Sequence, residues 1–380
     1  MKWLWALLLP VLVLVSGCTG TVEEIPETLL VVGFTSGNQG RLVLIENNVL
    51  QTDIPLTERL RWLTESVRDL PGLPLAADVV DRAFERRALV VLSRDGASSY
   101  LSVFNPSNLA PDRLEGFHET ARIALNDLLG PRPTVICPTR LQVSSTGRFA
   151  TLLHQPDACR ASGDISISVL DLSLDPPQFV RHYEGLFPLV ANALVLDQAD
   201  DTLYFLEEVG ARVELRSLAL DRLAERPVII GDADIDARNV QDMGIVLDSM
   251  VVLGSGSFVA FENYRAPGDA TPPVATSPSS RRLISSDFAD LERVIILGRA
   301  NFTVHLSVTD TAQPPATLRD YQSGTVEALN RLVFVVGSGR VAVFDELSYH
   351  EDAPALTPIP LPDLTAPAFI SWFPALVLPP

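Results

Sequence analysis

The side chains that could do chemistry in this chain are few and widely scattered. Five histidines, His118, His154, His182, His305 and His350, form neither a His-x-His pair nor an HExxH run. Their spacing assembles no metal site, and ordinary hydrogen-bonded positions on strands or loops are expected for them. Asp232-Ala233-Asp234-Ile235-Asp236 offers the first three oxygen positions of a calcium loop. Ala237 then stands where such a loop needs Gly, and Met243 where it needs a bidentate Glu, so a solvated acidic connector is expected instead. Gly254-Ser255-Gly256 and Gly337-Ser338-Gly339 have strand-like flanks on both sides and no following Lys, which makes them hairpin turns rather than phosphate cradles. No Gly-x-Ser-x-Gly nucleophile elbow occurs after residue 18. The sole lysine is Lys2, so no Schiff-base or phosphate-loop lysine exists beyond it. No compact motif names a catalytic residue, and no metal or cofactor is expected.

Three cysteines remain, Cys18, Cys137 and Cys159. Met1-Lys2 supplies one positive charge, and an apolar stretch follows from Trp3 to Val15 with Pro10 in its middle. That stretch is too short to cross a bilayer as a helix, and residues 1–17 read as a signal peptide. Val15-Ser16-Gly17-Cys18 resembles the bacterial lipobox. The resemblance implies cleavage before Cys18, which becomes the mature N-terminus and carries a diacylglyceryl thioether plus an N-acyl group. An ordinary secretory signal with a chance cysteine is the alternative. One acyl chain holds a protein marginally and several hold it firmly. Residues 18–27 then form a lipidated tether, and the protein sits on the periplasmic or outer face of the cell envelope. Thr19 stands where the retention signal of the inner membrane would place Asp, which favours the outer membrane if the organism has two. In that oxidising compartment Cys137 and Cys159 point to a disulfide, two free buried thiols being the alternative.

Charge excludes further classes. The full chain has 29 Lys and Arg against 47 Asp and Glu, a formal net charge of −18 at pH 7. Removal of Lys2 with the signal peptide makes it more acidic still. Nucleic acid is excluded as a partner, because its binding is driven by basic side chains on phosphates. Adhesion to anionic lipid beyond the anchor is excluded on the same ground.

Alternating, β-branched segments recur along the whole chain, and helical periodicity is scarce. Val252-Leu253-Gly254-Ser255-Gly256 through Phe261-Glu262 matches Val335-Val336-Gly337-Ser338-Gly339 through Phe344-Asp345, each reading as strand, tight turn, strand. The second strand of that hairpin ends recognisably in seven places: Leu42–Asn47, Tyr100–Asn105, Ile165–Asp171, Leu215–Asp221, Phe258–Glu262, Val304–Asp310 and Val341–Asp345. Their spacing is near the blade length of a β-propeller. Upstream signatures of the form apolar, Asp or Ser, turn, apolar occur at Val143–Phe149, Leu196–Tyr204 and Val80–Leu92. Together these resemble the inner hairpin and third strand of blades in the YVTN/lactonase-like and TolB-like propeller superfamilies. The resemblance implies an all-β, seven-bladed β-propeller over residues 28–374, followed by a tail at 375–380. Ala368–Phe373 is a late strand with no hairpin of its own, and the first unit, Leu29–Pro55, lacks an innermost strand. Pairing the first with the second closes the ring without leaving a sheet edge exposed. A pair of β-sandwiches is the rival architecture and needs no such exchange. Thr57–Leu70 and Asp112–Leu129 carry apolar residues at mixed spacing and read as helix-like insertions, with loop or strand as the alternative. Arg265–Ser280, rich in Pro, Ser, Ala and Thr, reads as a surface excursion.

Two function classes follow. One is a lipid-anchored envelope module whose rim and loops bind an envelope protein or a small ligand. The other is a lactonase-like hydrolase with acids and histidines converging at the mouth of the central channel. A quinone-cofactor dehydrogenase is disfavoured, since adjacent cysteines are missing and only Trp62 and Trp372 follow residue 18. The absence of a compact catalytic motif favours the binding module, although a site assembled from several blades leaves little trace in a sequence. The anchor is directly testable. Cys18→Ser removes the only thiol that can take the diacylglyceryl group, so the variant is expected to lack the acylated mass and to leave the membrane fraction. Recovery of the wild-type acylated mass from it refutes the lipobox reading.

Overall fold

Apolar residues recur on both faces of the extended segments, and this pattern is satisfied by strands whose two sides are both covered. The computed structural model describes residues 28–82, 86–104, 117–129, 135–144, 146–173, 177–197, 201–222, 225–246, 249–254, 257–262, 264, 275–276, 321–327, 332–337, 339–345 and 356–374. Among them the chain is nearly all β and folds into six four-stranded antiparallel sheets. Sheet I holds β1 (Thr28–Ser36), β2 (Gln39–Asn47) and β3 (Leu60–Asp69); sheet II holds β4 (Leu73–Arg82), β5 (Arg86–Asp95), β6 (Ser98–Phe104) and β7 (Glu119–Ala124). Sheet III holds β8 (Pro138–Val143), β9 (Phe149–His154), β10 (Ser166–Asp171) and β11 (Gln178–Glu184). Sheet IV holds β12 (Leu189–Asp197), β13 (Thr202–Val209), β14 (Arg212–Ala219) and β15 (Val228–Ala233). Sheet V holds β16 (Val240–Val246), β17 (Ser249–Gly254), β18 (Ser257–Glu262) and β19 (Ala275–Thr276). Sheet VI holds β20 (Tyr321–Glu327), β21 (Leu332–Gly337), β22 (Arg340–Asp345) and β23 (Leu356–Pro360).

The last strand, β24 (Pro367–Pro374), does not extend sheet VI but becomes the first strand of sheet I, antiparallel to β1. Its register runs from Leu29 opposite Phe373 to Gly33 opposite Phe369. Gly33 is required there, because a Cβ at that position would overlap the Phe369 ring. The first strands of successive sheets touch in series: β20 with β24, β24 with β4, β4 with β8, β8 with β12, and β12 with β16. The sheets are therefore arranged in the manner of propeller blades.

The core is divided into layers between neighbouring sheets. Leu30 and Ile45 of sheet I pack with Phe334 and Val343 of sheet VI, whereas Leu29 and Leu44 on the other face pack with Leu89 and Phe104 of sheet II. Sheets II and III share Leu92, Leu101, Leu152 and Leu170; sheets III and IV share Leu153, Val169, Leu194 and Phe205. Because adjacent residues serve opposite layers, the strands read as near-continuous apolar runs rather than strict alternation.

Six of the seven strand endings fall on the third strand of a sheet, in β2, β6, β10, β14, β18 and β22, while Val304–Asp310 lies outside the described residues. The hairpin turns bring Gly210 and Gly339 to φ 68° and 70°, the left-handed region that favours glycine. Two expectations need correction. Thr57–Leu70 is not a helical insertion but one helical turn, α1 (Leu56–Arg59), followed by the outer strand β3. Its apolar spacing is irregular because β3 bulges. Leu42 and Leu44 of β2 face Arg68 and Leu63, and the Ser66 hydroxyl fills the gap by accepting from Leu44 N at 2.8 Å. The described part of Asp112–Leu129 is strand β7 followed by the single turn α2 (Leu125–Leu129). Within Arg265–Ser280, Ala275 and Thr276 form β19 against β18, and the rest lies outside the described residues.

The strands share two distinguishable ends. The turns after β1, β5, β13 and β21, and the connections into β4, β8, β12 and β24, lie at one end, called here the turn end. Thr28 and Pro374 are register partners at the opposite end. Deletion of residues 366–380 removes β24 and uncovers Val32, Leu29 and the inner face of β1. Losing a large buried apolar side chain costs about 2–5 kcal/mol, so a stability loss of at least ~3 kcal/mol together with aggregation is expected from denaturant titration and light scattering. A truncated protein that unfolds cooperatively at the wild-type midpoint and stays monomeric refutes the structural role of this strand.

Candidate functional site

Of the residues singled out in the sequence, Cys18 lies outside the described residues. Cys137 and Cys159 are brought together at disulfide distance, with Cα atoms 6.0 Å apart. Cys137 immediately precedes β8, and Cys159 closes the 3-10 turn Pro156–Cys159 after β9, so hairpin β8–β9 places both at the turn end of sheet III. Gln155 N–H donates to Cys137 O at 2.9 Å and fixes the two segments side by side. Arg94, at the turn end of β5 in sheet II, reaches across the gap. Its Nη1 donates to Cys159 Sγ at 2.8 Å and to Cys137 Sγ at 3.2 Å.

The histidines divide. His305 and His350 lie outside the described residues, and His118 is exposed just ahead of β7. His154 and His182 join a string across sheet III. His154 Nε2 lies 2.9 Å from Ser168 Oγ, Ser168 Oγ 3.4 Å from His182 Nδ1, and His182 Nε2 3.1 Å from Glu184 Oε1. His154 Nδ1 has no hydrogen-bond partner among the described residues. An orphaned lone pair costs less than an orphaned N–H in this position, which places the proton on Nε2. The bonds then run in one direction, His154 to Ser168 to His182, with His182 donating to Glu184. Burial, reinforced by the neighbouring His182, pushes His154 down to about 3 and keeps it neutral. A serine beside a histidine and a carboxylate suggests a nucleophile, but Ser168 and His154 are fully buried. No substrate reaches them, and the string aligns β9, β10 and β11.

A second polar cluster lies between sheets III and IV. Tyr183 Oη donates to Glu207 Oε1 at 2.5 Å, and Arg216 Nη2 lies 3.1 Å from Glu207 Oε2 and 2.8 Å from Glu214 Oε2. Glu207 is fully buried, so the arginine and the phenol supply what water would otherwise provide. Burial, together with the bond to Glu207, raises the Tyr183 phenol well above its ordinary value.

The first strands carry a third set. Asp78 in β4 accepts from Val143 N in β8 at 2.6 Å and from Val79 N at 2.9 Å. Gln142 in β8 donates to Leu194 O in β12 at 3.0 Å and accepts from Leu196 N. Ser323 and Thr325 in β20 accept from Ile370 N and Trp372 N in β24 at 3.2 and 3.0 Å. In each case a side chain on one first strand satisfies the backbone of the next. Burial pushes the Asp78 carboxyl up to about 7, outweighing the two N–H donors that pull it down.

Among the described residues no group of three or more His, Cys, Asp or Glu side chains is arranged to hold a metal ion. The expected solvated connector is only partly one. Asp232 and Ala233 end strand β15, where Asp232 pairs with Arg212; Ala233 and Ile235 are buried, and only residues 234–236 connect to the 3-10 turn Ala237–Asn239, which Asp236 caps. Arg94, Ser168, Tyr183, Glu207 and Asp78 were not singled out by the sequence. For Asp78 the available signal was the interruption of an apolar run by a lone polar residue, Ala77-Asp78-Val79.

No family model and no curated protein matches the sequence. Solved structures similar to it include a functionally unknown protein from Desulfotomaculum acetoxidans, with 9% identity, TM-score 0.41, and 90% of this chain and 88% of that one covered. A candidate 6-phosphogluconolactonase from Bacteroides fragilis gives 10% identity and TM-score 0.38, with coverages of 93% and 99%. The dihydro-haem d1 dehydrogenase NirN in complex with DHE gives 10% identity and TM-score 0.45, with coverages of 92% and 75%. At TM-scores of 0.45 and below, no residue correspondence links these proteins to the present sheets, and no activity follows for this chain.

Asp78 yields a pH prediction. With a folded-state value near 7 against 3.8 unfolded, the folded chain holds a proton that the unfolded chain has released across that window. The Asp78 contribution to stability therefore falls as pH rises from about 4 to about 7 and levels off above, with a slope of at most about 1.4 kcal/mol per pH unit for one proton. His154, lowered from 6.5 to about 3, contributes in the opposite sense, so the Asp78 component is read from the difference between variants. Asp78→Asn is expected to remove that component. Denaturant titrations of both proteins from pH 4 to 8 give the difference profile, and parallel profiles refute the assignment.

Proposed function

We propose that this protein is a lipid-anchored cell-envelope β-propeller that acts as a binding module and presents its turn end away from the membrane. The observation that carries this reading is the polarity of sheet I. Thr28, only ten positions after Cys18, lies at the end opposite the hairpin turns, paired with Pro374. An acylated Cys18 on the tether 18–27 would hold that end against the bilayer and leave the turn end accessible. The turn end carries Leu186 at 81% and Phe187 at 43% exposure in the connection from β11 to β12, an apolar pair that a solvated loop does not need. An envelope protein or a small ligand is the partner class, and no nucleic acid fits a net charge of −18.

A closed ring of seven blades belongs to the same reading. Contacts run in series from sheet VI through sheet I to sheet V, and sheet I is completed by β24. The seventh strand ending, Val304–Asp310, belongs to the sequence between β19 and β20. A lactonase-like hydrolase would draw acids and bases from first strands and their loops. The described histidines lie instead on the second and fourth strands of sheet III and ahead of β7.

Site-directed photo-crosslinking in cells tests the orientation. A probe at position 186 is expected to give a discrete adduct that Phe187→Asp abolishes, while a probe at position 53, in the β2–β3 connection of the opposite end, gives none. Equal adducts from both ends, or none from position 186, overturn the binding reading. Lactone hydrolysis by the purified protein overturns it in favour of the hydrolase.

A further inference from the structure

We propose that Cys137 and Cys159 form a thiol–disulfide exchange site in which Arg94 holds the leaving thiolate. The proposal is independent of the binding reading. It rests on an arrangement that a purely structural bridge does not call for: one guanidinium nitrogen, carried by another sheet, within 2.8 and 3.2 Å of both sulfurs. A disulfide sulfur is a weak acceptor and gains little from a cation. A thiolate gains much more, and a cysteine beside an arginine has its pKa lowered from about 8.5 into the range ~3.5–7.5. Arg94 therefore stabilises the reduced pair relative to the oxidised one, which makes the disulfide a better electron acceptor.

Access is asymmetric in the sense that exchange requires. Cys137 is fully buried, whereas Cys159 keeps intermediate exposure on a turn whose neighbours Asp157 and Ala158 are exposed. Arg160, directly after Cys159, caps the short turn in the left-handed region at φ 57°, its N–H donating to Asp157 O at 3.0 Å. An incoming thiolate from a protein dithiol attacks Cys159 Sγ, forming a mixed disulfide and breaking the Cys137–Cys159 bond. The bonding electron pair leaves on Cys137 as a thiolate beside Arg94. The second thiolate of the same dithiol attacks its partner's own sulfur in the mixed disulfide and releases Cys159 as a thiolate. Two electrons have then passed from the dithiol, now a disulfide, to the pair, and the protons of the dithiol go to solvent or to the released sulfurs.

The test equilibrates the mature wild-type protein, Arg94→Gln and Arg94→Lys at pH 7 with graded ratios of reduced to oxidised dithiothreitol. After acid quench, maleimide–polyethylene glycol reports the fraction of free thiols, and circular dichroism confirms the fold in each arm. Wild type is expected to reach half reduction at a ratio ~tenfold lower than Arg94→Gln, with Arg94→Lys between them. Equal midpoints for wild type and Arg94→Gln overturn the proposal, as does recovery of two free thiols from the native protein under oxidising conditions. If Arg94→Gln loses its fold, the reduced wild type decides alone. Iodoacetamide should react at Cys159 with an apparent pKa below about 7.5, and an unshifted profile near 8.5 overturns the proposal.

Discussion

The fold depends on one constraint, the unpaired edge of the first strand in each sheet. A four-stranded antiparallel sheet leaves backbone N–H and C=O groups on both outer rows, and the inner row faces only its neighbours. Parallel pairing between first strands would merge the sheets into one. The chain answers with side chains instead. Asp78 takes Val143 N, Gln142 bridges Leu194 O and Leu196 N, and Ser323 and Thr325 take Ile370 N and Trp372 N. Each bond joins two sheets without fusing their ladders, so the sheets stay separate and can splay apart from a common centre. The same role sets the electrostatics of Asp78. Its carboxyl must be enclosed to reach a neighbouring backbone, and that enclosure drives its proton affinity up.

Burial on both faces follows from the splayed arrangement. Leu29 and Leu30 are both fully buried, yet one belongs to the layer shared with sheet II and the other to the layer shared with sheet VI. Several polar side chains on strands in this position are satisfied by their neighbours. His154, Ser168 and His182 are linked in this way along sheet III, and Glu207 is linked to Tyr183 and Arg216 across the next gap. Ser168 and His154 are fully buried even though the string ends on the exposed Glu184, which is why a serine, a histidine and a carboxylate in one string supply alignment rather than a nucleophile.

Local patterning made the third strands legible, because they combine alternating apolar residues with a closing Asp, Glu or Asn, and all but β10 follow a tight turn, as in Leu42–Asn47 and Val341–Asp345. The place of β24 was legible for a different reason: Ala368–Phe373 has strand character but no hairpin partner of its own, and the first unit lacks a strand. Hairpin β8–β9 likewise places Cys137 and Cys159 at one open end, with Cα atoms 6.0 Å apart. What stayed hidden depends on contacts between sheets. Nothing near Arg94 in sequence announces that it lies against sulfurs 43 and 65 positions away. The outer strand β3 was hidden by its own bulge, where Ser66 replaces a ladder bond and breaks the period of two that identifies a strand.

The two ends of the sheets differ in how much of their structure is local. At the end where Thr28 and Pro374 meet, the chain comes together from its extremes, and the pairing of β1 with β24 spans almost the whole described sequence. At the turn end, tight hairpins close on themselves, and the longer connections are tied down individually: Leu70 N to Gly40 O, Gln155 N to Cys137 O, and Gly339 N to Leu364 O. A connection held by one or two such bonds can change conformation without disturbing the layers below it, whereas the β1–β24 pairing cannot. The exposed Leu186 and the partly exposed Cys159 both lie on such connections at the turn end. The opposite end carries the β1–β24 pairing that completes sheet I.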